Sequence, residues 1–130
     1  VSAVEAPAGH DVRLDLPAET RFLRLARLTA SGLAGDLDFD LDEVEDLRVA
    51  VDEACAVLVE VAADGARLAL TYQIRGQTVE VCGDVAADRA PELHPVAQSV
   101  LALLASEFAV DHADGRASFR FLARRGEAGA

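Results

Sequence analysis

The most restrictive stretch of this 130-residue chain is DLDEVEDLRVAVDEACAVLVEVAA, from Asp40 to Ala63. It begins with the signature of a capping box: Asp40 can accept from the backbone N–H three residues on, and Glu43 can reach back to the N–H of Asp40. Val44, Leu47, Val51, Ala54/Cys55, Leu58 and Val61/Ala62 then recur every third or fourth position, one apolar stripe along a long helix. Neither Gly nor Pro interrupts it before Gly65, and Asp64-Gly65 supplies a stop. A neighbouring row, Val49, Glu53, Val57 and Glu60, sets acids beside the stripe. Glu53 stands out because Ala50, Val51, Ala54 and Cys55 surround it. The ordinary reading of such a residue is a solvated acid on a helix flank, since carboxylates are seldom buried unpaired.

Around this helix the chain alternates between two periods. Asp11 to Leu16 reads as a half-buried strand, with Val12, Leu14 and Leu16 against Arg13 and Asp15, and Pro17 ends it. Ala18 to about Leu33 is helical, its apolar set being Phe22, Leu25, Ala26, Thr29, Ala30 and Leu33, with Arg21, Arg24 and Arg27 on the other side. After Gly65 the period becomes two: Leu68, Leu70, Tyr72 and Ile74, an Arg75-Gly76-Gln77 turn, then Val79 and Val81, a hairpin. Gly83 to Pro91 reads as irregular and acidic. A third helix is expected from His94-Pro95 to Glu107, striped by Val96, Val100, Leu103/Leu104 and Phe108. A closing hairpin turns at Asp114-Gly115 and returns through Ala117, Phe119, Phe121 and Ala123. The order β-α-α-β-β-α-β-β predicts a two-layer α/β sandwich: a mixed, mostly antiparallel sheet with three helices on its apolar face. Residues 11–124 are expected to form one domain, with flexible tails at 1–10 and 125–130.

Charge and cysteine content narrow the function. A formal net charge of −11 argues against direct nucleic-acid binding, because a phosphate backbone attracts the opposite sign. It suits a basic protein partner. Seven acids fall between Asp36 and Asp46, a patch that the helix macrodipole favours without any ligand. No run of apolar residues is long enough to span a membrane, the first residues carry no signal-peptide pattern, and a cytoplasmic protein is expected. Cys55 and Cys82 read as reduced core residues. His10, His94 and His112 have no metal-ligand spacing.

LDEVEDLRVAVDEACAVL resembles the N-box helix of the anti-sigma-factor branch of the GHKL (histidine-kinase-like) ATPases, the RsbW/SpoIIAB type of serine kinase. In that family a Glu on this helix is the general base for the attacking hydroxyl or water, and an Asn four residues later ligates magnesium. The resemblance places the Glu at Glu53 and the Asn at Val57, which has no oxygen to offer a hard cation. The family's DxGxG turn, whose Asp accepts from the adenine amino group, falls on Gly83-Asp84-Val85-Ala86-Ala87. Asp84 stands for the Asp, and neither following Gly is present. A second Gly motif wraps the triphosphate with backbone N–H groups. It falls near His94 to Ala97, where there is no Gly and Pro95 lacks a donor. Phe22-Leu23-Arg24 matches the segment in which a family Arg contacts the sigma factor and its antagonist, which makes Arg24, flanked by Arg21 and Arg27, the partner-binding candidate. With no other information, those three arginines simply solubilise their helix.

The expectation is therefore an anti-sigma factor of the GHKL fold. It would sequester an alternative sigma factor by protein contact, be released by a STAS-type anti-anti-sigma partner, and form a homodimer. Glu53 remains as a residual base, no metal is held, and no nucleotide cofactor is expected, with Mg-ATP the alternative. Two other functions fit the same residues. One is an active ATP-dependent serine/threonine kinase that phosphorylates its anti-anti-sigma partner. The other is a non-catalytic regulatory scaffold of the same fold.

Overall fold

The computed structural model describes residues 10–126. Most of the two expected tails, positions 1–9 and 127–130, lies outside the described residues, while His10 belongs to the first strand. The elements are β1 (His10–Pro17), a 3-10 turn (Thr20–Phe22), α1 (Leu23–Asp36), α2 (Leu41–Val61), β2 (Arg67–Arg75), β3 (Thr78–Ala86), α3 (Pro95–Leu104), β4 (Ser106–Ala113) and β5 (Arg116–Arg124). This is an α/β fold with a five-stranded sheet ordered β1-β2-β3-β5-β4. Every pairing is antiparallel, so the expectation of a mixed sheet is corrected. β2–β3 and β4–β5 are hairpins, β1 reaches β2 through α1 and α2, and α3 carries the chain from β3 across to the edge strand β4, with β5 filling the place between them.

Helix α2 is the central element of the helical layer. Its capping box is closed in both directions, Asp40 N–H to Glu43 and Glu43 N–H to Asp40, each at 2.8 Å. Leu47, Ala50, Val51, Ala54, Cys55, Leu58 and Val61 are buried along one side, against β3 and β5. Their sheet partners are the helix-facing rows Leu68, Leu70, Tyr72; Val79, Val81, Val85; and Ala117, Phe119, Phe121. At about 1.5–3 kcal/mol for each large apolar side chain removed from water, this layer supplies most of the drive to fold. The opposite sheet face carries charge pairs, among them Arg67–Asp15 at 2.6 Å, Arg120–Glu80 and Arg116–Asp84.

Two helices differ from their sequence reading. Helix α1 is rotated: it buries Leu23, Ala26, Ala30 and Ala34, while Leu25 is 39% exposed. The alanines at 26, 30 and 34 make a shallow ridge on α1, which packs against α2. Tyr72 fixes that approach from the sheet, its hydroxyl donating to the Ala26 carbonyl at 2.8 Å. Helix α3 is shorter than expected, ending at Leu104, and Leu101 alone is buried on it. The backbone turns extended at Ala105, and Glu107 takes φ +54 at an irregularity in β4. Neither residue type announces a helix stop. Phe108 consequently belongs to β4 and packs on Phe121 at 6.3 Å between ring centroids. The segment expected to be irregular from Gly83 is strand as far as Ala86.

Candidate functional site

The residues that the sequence singles out on α2 meet the start of α3. Glu53, Ala56, Val57 and Glu60 from α2, with His94 and Ala97 from the other side, line a cavity of about 170 Å³. Glu53 is half-buried at this groove, and Val57 is 5% exposed, its apolar branches turned into the protein. His94 stands at the N-cap position of α3 without a side-chain capping bond, and its Nε2 lies 3.1 Å from Glu60 Oε2. Just beyond, Arg89 donates to the Glu60 carbonyl at 3.2 Å. Helix α3 starts at Pro95, which presents no N–H to a ligand at this terminus.

Asp84 is not brought to this groove. It sits in β3 on the sheet face turned away from the helices, paired with Arg116 of β5. That ion pair drives the Arg116 guanidinium still further toward its charged form, through the hydrogen bond it donates to Asp84 and the charge of that carboxylate. The β3 residue that faces the helical layer is its neighbour Gly83. Phe119, directly across the ladder, fills the space over Gly83: a Cβ placed there would meet the ring at 2.3 Å. Sequence reading missed this feature. Its only signal was parity, since Val79, Val81, Gly83 and Val85 share one face and Asp84 cannot join them.

The arginine row divides three ways. Arg21 bonds Glu19 at 3.1 Å and lies 4.7 Å from the Phe22 ring centroid. Arg27 bonds Asp52 of α2 at 2.6 Å, so it ties the two helices together. Arg24 is exposed and has no ion-pair partner among the described residues. The two cysteines are free thiols. Burial, and next to it the charge of Asp52, pushes the Cys55 thiol far up. Among the described residues there is no cluster of metal-ligating side chains, and no helix is long and apolar enough to cross a membrane.

No family model matches the chain. It is 34% identical over 71 residues to the serine-protein kinase RsbW of Halalkalibacterium halodurans, a match covering 54% of this chain and 44% of that protein. The RsbW of Bacillus velezensis is 39% identical over 49 residues, covering 38% of this chain and 31% of the relative. Over about half its length this chain is similar to the RsbW-type serine-protein kinases. The likeness to the RsbW of Bacillus thuringiensis is 28% over 72 residues, again 54% of this chain and 45% of the other. The chain thus spans less than half the length of the curated RsbW proteins it matches. In three dimensions it matches a crystal structure of the RsbU and RsbW domains of a Mycobacterium tuberculosis protein, with a TM-score of 0.67 and 19% identity, over 88% of this chain and 32% of that one. The five-stranded antiparallel sheet with three helices matches the fold of the RsbW domain.

Proposed function

We propose that this protein is an anti-sigma factor that holds an alternative sigma factor by protein contact, is released by a STAS-type anti-anti-sigma partner, acts as a homodimer, and has lost nucleotide binding. The observation that carries the last part is Val57, buried at the wall of a cavity of about 170 Å³. Pockets that enclose ligands of this size are usually ~300–1,000 Å³. The donor set also does not fit magnesium, which demands near-octahedral oxygen coordination. Val57 offers no oxygen, and Glu60 is engaged by His94. Phe119 covers Gly83 on the helix-facing side of β3, and Pro95 leaves the α3 terminus one donor short.

Support for protein contact comes from Arg24, the one member of its row without an ion-pair partner among the described residues, and from the likeness to RsbW. A second reading, the active serine kinase, is favoured by one observation: Glu53 stays half-exposed at the groove, where a base would be needed. Calorimetry with Mg-ATP separates the two. The expected result is no saturable binding below about 100 μM. An affinity at or below about 10 μM, roughly 7 kcal/mol, would sink the binding-module reading in favour of the kinase.

A further inference from the structure

Strand β4 closes one side of the sheet, and among the described residues its backbone bonds to β5 alone. The Asp114-Gly115 turn, with φ +55 and +74, makes Ala113 and Arg116 the closing hydrogen-bonded pair of the hairpin. Alternation then points the backbone groups of Asp111 and Ala109 at β5 and those of Val110 and His112 outward. The other side of β5 agrees. Gly115 accepts from Ala87 and Arg125 donates to Gln77, so the odd-numbered positions of that strand bond toward β3 and the even ones toward β4. The irregularity at Glu107 ends this regular edge, which runs from Ala109 to His112. Its two faces differ. On the helix side Phe108 and Val110 are half-buried, and Leu93, Gln98, Ala102 and Ala105 join Phe108 around an open cavity of about 360 Å³. On the other side Asp111 is exposed and forms no ion pair among the described residues. The arginines flanking its cross-strand neighbour Ser118 are committed, Arg116 to Asp84 and Arg120 to Glu80.

A strand laid antiparallel against this edge exchanges N–H···O bonds with Val110 and again with His112. Cross-strand neighbours share a face. The added residue opposite Val110 therefore lies on the side of the apolar cavity, and the one opposite Asp111 meets an unpaired carboxylate. A charge and a bulge also protect sheet edges from chance pairing. Protection, however, does not call for an apolar cavity opening beside the strand. We infer that β4 is a docking edge for an extended segment of another protein, apolar at alternate positions and basic between them. The inference goes beyond the proposed function, since neither Arg24 nor the α2–α3 groove takes part in it. A chain of formal charge −11 attracts a basic segment and repels a second copy of itself, so the occupant is a partner and not this chain. The short ladder supplies the register, and the cavity and Asp111 supply the choice of side chains.

The test uses the full chain and a capped heptapeptide of alternating arginine and valine. Saturable binding tighter than about 1 mM is expected, with the largest amide shifts in heteronuclear NMR at Val110 and His112. Two N-methylated versions of the peptide keep its charge and its order of side chains. Methyl groups on the valine amides block the groups that face β4 and are expected to weaken binding about tenfold or more. Methyl groups on the arginine amides face away and leave it nearly unchanged. Val110→Pro removes the outward N–H without breaking a bond to β5, and is expected to lose the peptide as well. Asp111→Asn weakens binding about two- to fivefold, the usual worth of one cross-strand charge pair. No saturable binding, equal losses from the two methylation patterns, or shifts centred on the β1 edge overturns the inference. So does self-association that protects the Val110 and His112 amides without peptide. Should Val110→Pro fail to fold, the methylated peptides decide: a loss confined to the valine pattern upholds the docking edge, and any other ranking refutes it.

Discussion

Arg24 and Glu53 lie on neighbouring helices and have opposite surroundings, and the proposed function makes them behave differently. Arg24 is exposed and unpaired among the described residues, so removing its guanidinium costs the fold nothing it uses. A planar fork that meets a partner carboxylate bidentately is an anchor, and truncating an anchor typically costs about 2 kcal/mol or more of binding. Arg24→Ala is expected to keep the melting temperature and lose partner affinity in a competition assay, while Glu53→Ala leaves affinity nearly unchanged. The reverse ranking would return the function to the groove. Gly83 makes a second prediction at this scale. A methyl there would meet Phe119 at 2.3 Å, and that ring is buried and stacked on Phe121 at 6.0 Å between centroids. Gly83→Ala should destabilise the fold by about 1–3 kcal/mol in urea unfolding, the usual cost of overpacking. An unchanged midpoint would mean that the ring moves aside freely. Asp84 was readable as an acid near the right place, but which face it occupies depends on where β3 ends. That boundary was set by pairing with β5, which no local signal in Gly83 to Pro91 reveals.

At the scale of elements, helix α3 separates what periodicity can find from what it cannot. The helix was visible because His94-Pro95 starts it and apolar residues fill it. With almost every position apolar, though, the period no longer identifies the inner face, and Leu101 alone was chosen by packing. Leu103 is 82% exposed and Val96 75%. Leu101→Ala is therefore expected to cost about 2–5 kcal/mol, as buried leucines do. Leu103→Ala should change stability by no more than about 0.5 kcal/mol, as surface positions do. Denaturant midpoints of the two variants check this, and equal losses would place both leucines inside. Helix α1 failed in a related way: large Leu25 outweighed Ala26, Ala30 and Ala34 in the sequence, whereas close approach to α2 selected the small ones. Helix α2 was read correctly because its cap and stripe agree and both are local. The sheet hairpins were read correctly for the same reason, with Gly76 at φ +60 and Asp114-Gly115 at φ +55 and +74 in their turns.

For the whole molecule, the core holds two ionisable groups kept neutral by burial. Desolvation pushes the Cys55 thiol and the Tyr72 phenol far above their ordinary values of 9.0 and 10.0, with Asp52 adding to the first. In the unfolded chain both ionise near those ordinary values, so at alkaline pH the unfolded state releases protons that the folded state retains. Stability then falls as pH rises, by up to about 1.4 kcal/mol per pH unit for each group so shifted. The contribution is fully present below pH 9 and is lost progressively above it, first through Cys55 and about one unit later through Tyr72. Carboxylates do not produce this slope, because they are ionised in both states throughout that range. Urea unfolding at pH 8 and pH 10.5 should show a clear loss. Cys55→Ala should flatten the curve from pH 9 and Tyr72→Phe from pH 10, each at some fixed cost of its own. That cost is independent of pH, which is what lets the slope be read separately from it. A wild-type stability that stays level to pH 10.5 would mean that water reaches these two groups in the folded protein, and that the seam between α1, α2 and the sheet, where Tyr72 bonds the Ala26 carbonyl at 2.8 Å, opens readily.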